Sequence, residues 1–258
     1  MNFSKLWLKV LGRYQKIINR HFFIRPLKMY NTSPYISFTF DDFPCSALYT
    51  GGKILMKYGL RGTYYASLGL MGTVEPPGKI FLPEDITALL SDGHELGCHT
   101  FSHCRAFKTS LREFETSIIK NKQALAQLVP EVTFKSFSYP MDGPSFRTKS
   151  IIGKYFNCCR AGGQTYNEGT IDLNLLKAFF LEQGRNNPDA IKDLIDRNFK
   201  AQGWLIFATH DISDAPSPYG CTPSFFEEIV KYSVNSAARI LPVSAALDSI
   251  RTKSSNIL

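Results

Sequence analysis

Short runs with strand character alternate with helical stretches along most of the 258-residue chain, and this alternation constrains the fold more than any other feature. Several runs are continuously apolar, which is typical of strands buried on both faces. The pattern predicts a parallel sheet covered by helices, and the length and strand number favour a (β/α) barrel over an open sheet. The predicted strands are Tyr35–Phe40, Thr63–Ser67, Glu95–His99, Lys135–Tyr139, Tyr155–Arg160, Ala178–Glu182, Trp204–Thr209 and Arg239–Val243. The predicted helices are Pro83–Ser91, Ser110–Leu128 with a Ser110–Glu113 capping box, Pro188–Ala201 and Thr222–Val234.

Three of the predicted strands end in residues that are able to carry out chemistry. They end in the pair Asp41-Asp42, in His99 with His103 four residues later, and in His210-Asp211. In α/β barrels the active site is built from the carboxyl ends of the strands and the loops that follow them. We therefore expect these side chains to meet at one end of the barrel.

The His99 and His103 pair indicates a metal site. If the chain is helical there, residues four apart lie on one face, and two imidazoles with one carboxylate form a common catalytic zinc site. Asp41 or Asp42 supplies the carboxylate, and the other aspartate is free to accept a proton from water. His210 remains as a general acid for the leaving group.

Each of these signals has a simpler structural interpretation when it is taken alone. An Asp-Asp pair is usually a turn or a helix cap, two histidines share a helix face without a metal, and a lone histidine is often buried and satisfied. The three signals at three strand ends together favour the chemical interpretation. Cys98 and Cys104 flank the histidine pair as alternative soft ligands, but Cys98 points away from His99 in a strand.

The motifs together resemble the polysaccharide deacetylases of the NodB-homology type, carbohydrate esterase family 4. The similarity runs from about Tyr35 to Ile250 and includes the C-terminal stretch from Gly203 to Leu247. It implies a distorted (β/α) barrel of about seven strands. The motifs that carry it are Thr39-Phe40-Asp41-Asp42, His99-Thr100-Phe101-Ser102-His103, Phe137-Ser138-Tyr139-Pro140 and His210-Asp211.

The resemblance assigns a role to each matching residue. It implies Asp41 as general base and His210 as general acid. It implies a divalent metal, commonly zinc, on Asp42, His99 and His103. Tyr139, Pro140 and Met141 would form the substrate-binding and oxyanion region, where the backbone N–H of Met141 is the oxyanion donor.

The third motif departs from the family pattern. Typical members carry Arg-Pro-Pro-Tyr-Gly there, with the arginine orienting the base, and Ser138 stands at the arginine position. Arg147 and Arg160 are both candidates to take its place.

The leading functional interpretation is a metal-dependent hydrolase that removes an N-acyl group, acetyl or formyl, from an amino sugar. A lipid- or nucleotide-linked precursor in cell-surface polysaccharide biosynthesis is the expected substrate. One alternative keeps the fold and metal but acts on another small amide, a formamide or a ureide. A second alternative is a catalytically silent barrel that binds glycans.

The positive charge of the chain is concentrated at its N-terminus. Residues 1–30 contain no acid and seven bases, namely Lys5, Lys9, Arg13, Lys16, Arg20, Arg25 and Lys28. The rest of the chain contains the other 23 of the 30 basic residues and all 22 acidic residues, so it is nearly neutral. A nucleic-acid groove on that part of the protein is therefore not expected. We predict a basic amphipathic helical segment at residues 1–30 and a single polysaccharide-deacetylase-like barrel domain at residues 31–258.

Residues 3–23 have the pattern of an amphipathic helix, with bases on one side and apolar residues on the other. Such a helix either lies in a membrane surface or packs on the barrel. The six cysteines form no regular disulfide framework, and no uninterrupted apolar signal segment is visible. The expected location is therefore the cytoplasm, with peripheral association at the inner face of the membrane through residues 3–23.

Overall fold

The computed structural model of the protein describes residues 19, 21–141 and 143–255. Residues 3–18 and 20 of the predicted amphipathic helix lie outside the described residues. The strands of the described part are β1 (Pro26–Lys28), β2 (Tyr35–Phe40), β3 (Thr63–Ala66), β4 (Val74–Glu75), β5 (Gly78–Lys79), β6 (Glu95–Cys98), β7 (Ser136–Ser138), β8 (Cys158–Arg160), β9 (Thr170–Asp172), β10 (Phe179–Phe180), β11 (Trp204–Thr209) and β12 (Arg239–Ile240). The α-helices are α1 (Lys53–Lys57), α2 (Pro83–Ser91), α3 (Leu111–Leu128), α4 (Phe146–Ile152), α5 (Pro188–Lys200), α6 (Pro223–Asn235) and α7 (Val243–Ser255).

Seven parallel strands form the sheet, in the order β10-β11-β2-β3-β6-β7-β8, and β12 pairs with the beginning of β2. An irregular segment bridges the two edges of this sheet. Leu176 pairs with Arg160 at the end of β8, and a few residues later Phe179 and Phe180 pair with β11. The predicted (β/α) barrel is thus confirmed, in a distorted form.

The predicted elements agree with the structure except at some ends. Each of the eight predicted strands contains an observed strand, and the Ser110–Glu113 capping box closes the N-terminus of α3 in both directions. Tyr155–Asn157, predicted as strand, instead belong to the turn after α4, because the N–H of Tyr155 donates to the carbonyl of Ile152. Leu181 and Glu182, also predicted as strand, lie in a 3₁₀ turn, Leu181–Gln183.

Beyond the four predicted helices, the structure contains α1, α4 and α7. In addition, a π-helical turn, Ala47–Gly52, leads into α1. Gly51 and Gly52 usually argue against a helix, but here they let the turn approach the sheet. A Cβ atom on Gly51 would lie 2.9 Å from the Phe40 ring.

Alternate residues of the strands face two separate apolar clusters, as expected for a pleated strand. Ile36, Phe38 and Phe40 of β2 pack with the surrounding helices, for example with Phe226 of α6. Tyr35 belongs to the inner cluster, which α7 closes at the amino ends of the strands. The inner face therefore contains β2 residues Tyr35, Ser37 and Thr39, and the next residue on that face is Asp41.

The inner face is polar at the end that α7 closes. Glu95 accepts hydrogen bonds from the hydroxyls of Thr63, Ser136 and Ser244 and from the backbone N–H of Ser244. These bonds satisfy the carboxylate and attach the first turn of α7 to three strands, so Glu95 is a structural residue.

The last residues of the N-terminal segment are attached to the barrel. Pro26–Lys28, predicted as part of the basic helical segment, instead form strand β1 and pair antiparallel with β9. No helix within the described ranges is long and apolar enough to cross a bilayer.

Candidate active site and metal centre

The carboxyl ends of the barrel strands bring together the residues predicted from the three motifs. Side chains alternate between the two faces of a strand, and this alternation continues to the ends of four strands. It places on the inner face Asp41 after β2, His99 after β6, Arg160 at the end of β8 and His210 after β11. All four side chains are therefore directed into the same mouth of the barrel. Asp41, His99 and Arg160 are almost fully buried, and His210 is partly exposed.

Asp42 lies at the centre of a group of three histidines. Its Oδ1 atom is 3.6 Å from Nε2 of His99 and 3.1 Å from Nε2 of His103, and its Oδ2 atom is 3.9 Å from Nε2 of His210. One ligand atom from each of Asp42, His99 and His103 lies within 4.8 Å of the others. Two imidazole nitrogens and one carboxylate oxygen in this arrangement match a catalytic zinc-type site with an open position.

The ligands reach these positions through unusual backbone conformations. Asp42 has a φ of 61°, which turns its side chain back toward the mouth although Asp41 already occupies the inner face. His103 has a φ of 50° and Thr100 a φ of 62°, so the histidine pair meets across an irregular loop and not across a helical turn. Non-glycine residues in the left-handed region are sparse in proteins and cluster at functional sites.

Neighbouring groups fix the two histidines. Nδ1 of His99 lies 2.8 Å from the carbonyl oxygen of Ser138, to which it donates, so Nε2 is left with a free lone pair. The Ser117 hydroxyl of α3 accepts hydrogen bonds from the N–H groups of Phe101 and Ser102 in the loop between the histidines. The geometry of the ligand loop is therefore set by α3 and β7.

The protonation of these groups suits a cation. Burial lowers the pKa of His99 to about 3 and also lowers that of His103, so both imidazoles are neutral. Burial, Asp41 and Glu75 raise the pKa of Asp42 to about 6, although His210 opposes the shift. The Oδ1 atom of Asp42 is buried without a hydrogen-bond donor. A divalent cation would supply the missing partner, so the three residues fit the metal that the sequence predicts.

Asp41 is paired with Arg160 and not with Arg147. The Nη2 atom of Arg160 donates to Oδ1 of Asp41, whereas Arg147 is an exposed residue of α4. Burial by itself would raise the pKa of Asp41, but Arg160, His99 and His210 outweigh burial and hold it well below its usual range. The guanidinium also lies over the Tyr65 ring, 4.9 Å from the ring centre. Of the two arginines that the sequence left open, Arg160 is the one that contacts Asp41.

Ser138 and Arg160 are direct neighbours in the sheet. They pair in register on the parallel strands β7 and β8, so both side chains point to the inner face at the same height. The arginine that the resemblance implies at position 138 of β7 thus has a counterpart, Arg160, on the adjacent strand.

His210 completes the group from the opposite side. Its Nδ1 atom lies 3.3 Å from the carbonyl oxygen of Tyr219, which directs Nε2 toward Asp42. Asp211, the next residue, turns away and accepts hydrogen bonds from the backbone N–H and the hydroxyl of Ser217, and so organises the loop before α6.

The third-motif residues divide into buried and exposed ones. The Tyr139 side chain lies in the outer cluster, and its hydroxyl donates to the carbonyl of Asn174. It does not face the mouth, which differs from the substrate-binding role expected for it. Pro140 is buried as well. Met141 is 54% exposed and has a φ of 60°, and of the three it is the one that lies at the surface beside the mouth.

Two further residues near the mouth were not identified from the sequence. Ser117 lies on the buried face of α3, where a polar residue within the apolar stripe was the available signal. Glu182 follows the short strand β10, and burial, with a smaller contribution from Asp41, raises its pKa to about 7. No motif marks Glu182, because its position depends on how β10 pairs with β11.

We expect the variant His103→Ala to lose its metal, because three protein ligands are the usual minimum for a catalytic zinc site. Metal analysis of the purified wild type should show about one divalent ion per chain, and the variant should retain little. Exposed His21 provides the matched control, since His21→Ala should keep full occupancy. Full occupancy in His103→Ala would contradict the ligand assignment.

Comparisons with known proteins agree with this fold. The sequence profile of the polysaccharide deacetylase family matches residues 28–155. No curated protein is significantly similar to the chain in sequence.

Among solved structures, the chain resembles a family 4 carbohydrate esterase from Streptomyces lividans in complex with acetate. The identity is 20%, the TM-score is 0.54, and the match covers 80% of this chain and 91% of that one. It also resembles a mutant of the peptidoglycan deacetylase PdaC from Bacillus subtilis, at 19% identity and a TM-score of 0.54, with 87% and 94% covered.

A third similar structure is BA3943 from Bacillus anthracis, described as a CE4 family pseudoenzyme. It has 10% identity and a TM-score of 0.58, and the match covers 84% of this chain and 66% of that one. At these identities the likeness concerns the fold, and a pseudoenzyme shares it. Whether a member of this fold is active therefore depends on the residues at the mouth of its barrel.

Proposed function

The chain carries a polysaccharide deacetylase domain of the NodB-homology type, and we propose that it is a metal-dependent hydrolase that removes an acetyl or formyl group from the nitrogen of an amino sugar. The observation that carries this proposal is the convergence of five side chains at one mouth of the barrel. These are Asp41, Asp42, His99, His103 and His210.

The proposed metal site consists of Asp42, His99 and His103. A divalent ion such as zinc would polarise the acyl carbonyl and bring the pKa of a water molecule toward neutrality, which would offset the weak basicity of Asp41. The other tasks fall to groups of the chain itself. Arg160 orients the ionised Asp41 carboxylate, which accepts the proton of the attacking water.

The remaining steps concern the carbonyl oxygen and the leaving nitrogen. The backbone N–H of Met141 is the proposed donor to the negative oxygen that develops when water adds to the carbonyl carbon. Nε2 of His210 donates a proton to the nitrogen as the carbon–nitrogen bond breaks. The products are a carboxylate, acetate or formate, and the free amine of the sugar.

We propose a lipid- or nucleotide-linked sugar as substrate, in the assembly of a cell-surface polysaccharide. All six cysteines are free, including the buried neighbours Cys158 and Cys159, which supports a reducing compartment such as the cytoplasm. Linked precursors are made there, whereas finished polymers lie outside. Peripheral attachment to the inner membrane face through residues 3–23 is part of the same proposal.

The proposal is tested by measuring acetate and formate released from lipid-linked and nucleotide-linked N-acyl amino sugars. The purified full chain should release one of the two acids, and chelation of the metal should stop the release. Adding a divalent ion back should restore it.

The same panel separates the alternatives. Release from simple formamides or ureides but not from sugars would favour the small-amide hydrolase. Metal binding and glycan binding without any release would favour the silent barrel, and would exclude the proposed hydrolase.

A further inference from the structure

Three aromatic side chains form an exposed cluster where the N-terminal segment meets α4. Phe22, Phe23 and Phe146, here called the aromatic patch, are between 38% and 53% exposed. The Phe146 ring lies 5.6 Å from the Phe22 ring and 4.8 Å from the Phe23 ring, measured between ring centres. Contiguous exposed apolar groups of this kind mark binding surfaces.

The backbone under the aromatic patch is firmly attached to the barrel. Buried Lys149 donates to the carbonyls of Asn19 and Phe22 and pairs with Asp172 at 2.6 Å. Asn174 donates to the carbonyl of Phe23 at 2.9 Å. The main-chain oxygens are thus bonded inward while the side chains of Phe22 and Phe23 remain in solvent, so their exposure is a feature of the fold.

The aromatic patch lies at the same end of the barrel as the active site. Phe146 is the first residue of α4, and a helix that connects two parallel strands begins at the carboxyl end of the first. That strand is β7, and the carbonyl oxygen of its last residue, Ser138, accepts a hydrogen bond from His99. The Asn19 side chain donates to the carbonyl of Pro144, which places the end of the N-terminal segment against the loop after β7.

The charge of the adjoining chain identifies the partner. Residues 1–30 contribute seven bases and no acid, and the aromatic patch directly follows most of them. Phenylalanine side chains on the apolar face of a surface-bound segment insert at the boundary between headgroups and acyl chains, and each nearby base adds attraction to anionic headgroups. An apolar surface of another protein would not require this excess of positive charge.

We propose that the aromatic patch docks on an anionic bilayer and thereby holds the mouth of the barrel against the membrane surface. The docking depends on the patch and its charged neighbour alone. Only its purpose, the capture of a lipid-linked sugar, rests on the proposed function.

The test is co-sedimentation of the full chain with vesicles at low salt. Vesicles of about three parts phosphatidylcholine to one part phosphatidylglycerol should bind the wild type, and pure phosphatidylcholine should bind it weakly. The variant Phe22→Ser/Phe23→Ser/Phe146→Ser should bind at least about tenfold more weakly to the anionic vesicles. The control variant Ile119→Ser/Phe199→Ser/Val234→Ser changes three equally exposed apolar residues on other helices and should bind as the wild type does.

Three results would overturn the docking proposal. The first is a wild type that stays in solution with anionic vesicles, and the second is a patch variant that binds as well as the wild type. The third is a patch variant whose main change is a lower melting temperature or the loss of a dimer in sedimentation velocity. That result would mean that residues 3–18 or a second copy cover the patch.

The outcomes for docking and for catalysis are independent. Vesicle binding without acyl release would leave the docking proposal intact and refute the hydrolase. Acyl release from a soluble nucleotide-linked sugar without vesicle binding would support the hydrolase and refute the docking proposal. The patch variant should keep its metal and its rate on a soluble substrate.

Discussion

The variant Asp41→Asn is expected to lower kcat by a factor of about 10²–10⁴ while the metal stays bound, because the amide has no basic oxygen to accept a proton. Asp41 is 4% exposed and contacts Arg160, and it is not one of the three grouped ligands. The replacement keeps the size of the side chain and one oxygen toward the guanidinium. Steady-state kinetics and metal analysis of the same preparation provide the two measurements.

Asp42→Asn is the matched comparison, since it makes the same chemical change one residue later. The Asp42 carboxylate lies within 3.1 Å of one histidine and 3.6 Å of another, so its replacement should weaken metal binding itself. Added metal should restore part of its activity but none of the activity of Asp41→Asn. If the two variants behaved in the opposite way, the roles of the two aspartates would have to be exchanged.

The barrel itself was accessible from the sequence, because each buried parallel strand is a short apolar run with turn residues at its ends. β2 and β11 have the predicted bounds, since all six residues of each are buried. The lengths of the short strands β8 and β10 were overestimated. Their flanking residues are equally apolar but pack in turns, and local composition does not distinguish the two environments.

The site was predictable as far as it lies directly at strand ends. Asp41, Asp42, His99, His103 and His210 could be selected because chemically active residues followed three predicted strands. The backbone reversal at Asp42 was not predictable, because a positive φ at an aspartate has no sequence signal in a single chain. The burial of Tyr139 was also missed, since its direction depends on the contacts of Phe137 and Asn174.

The sequence alone could not identify Arg160 as the partner of Asp41, and the reason is a different one. The pairing between β7 and β8 decides which arginine faces Asp41, and no local pattern of the sequence indicates that register. Once the register places Ser138 beside Arg160, a small residue at position 138 leaves the inner face to the guanidinium. The altered third motif is therefore compatible with the chemistry of the family.

Arg160→Gln is expected to lower kcat on the order of 10²-fold, because the buried base loses the group that orients it and small displacements at a reacting centre are costly. Without the guanidinium, only His99 and His210 oppose the effect of burial, so the pKa of Asp41 should rise and the acid limb of the pH–rate profile should move to higher pH. Metal content should not change. Arg147→Gln, which alters an exposed arginine, should leave the rate and the pH profile as they are.

A swap variant tests whether the position of the guanidinium, and not a general loss of stability, explains the effect. In Ser138→Arg/Arg160→Ser the arginine moves to the neighbouring strand, at the same height and on the same face of the sheet. It enters space that Arg160 has vacated, so the double variant should recover more activity than Arg160→Ser alone, and its acid limb should return toward that of the wild type. A double variant that melts like the wild type but has the rate and pH profile of Arg160→Ser would show that Arg160 does not act by orienting Asp41.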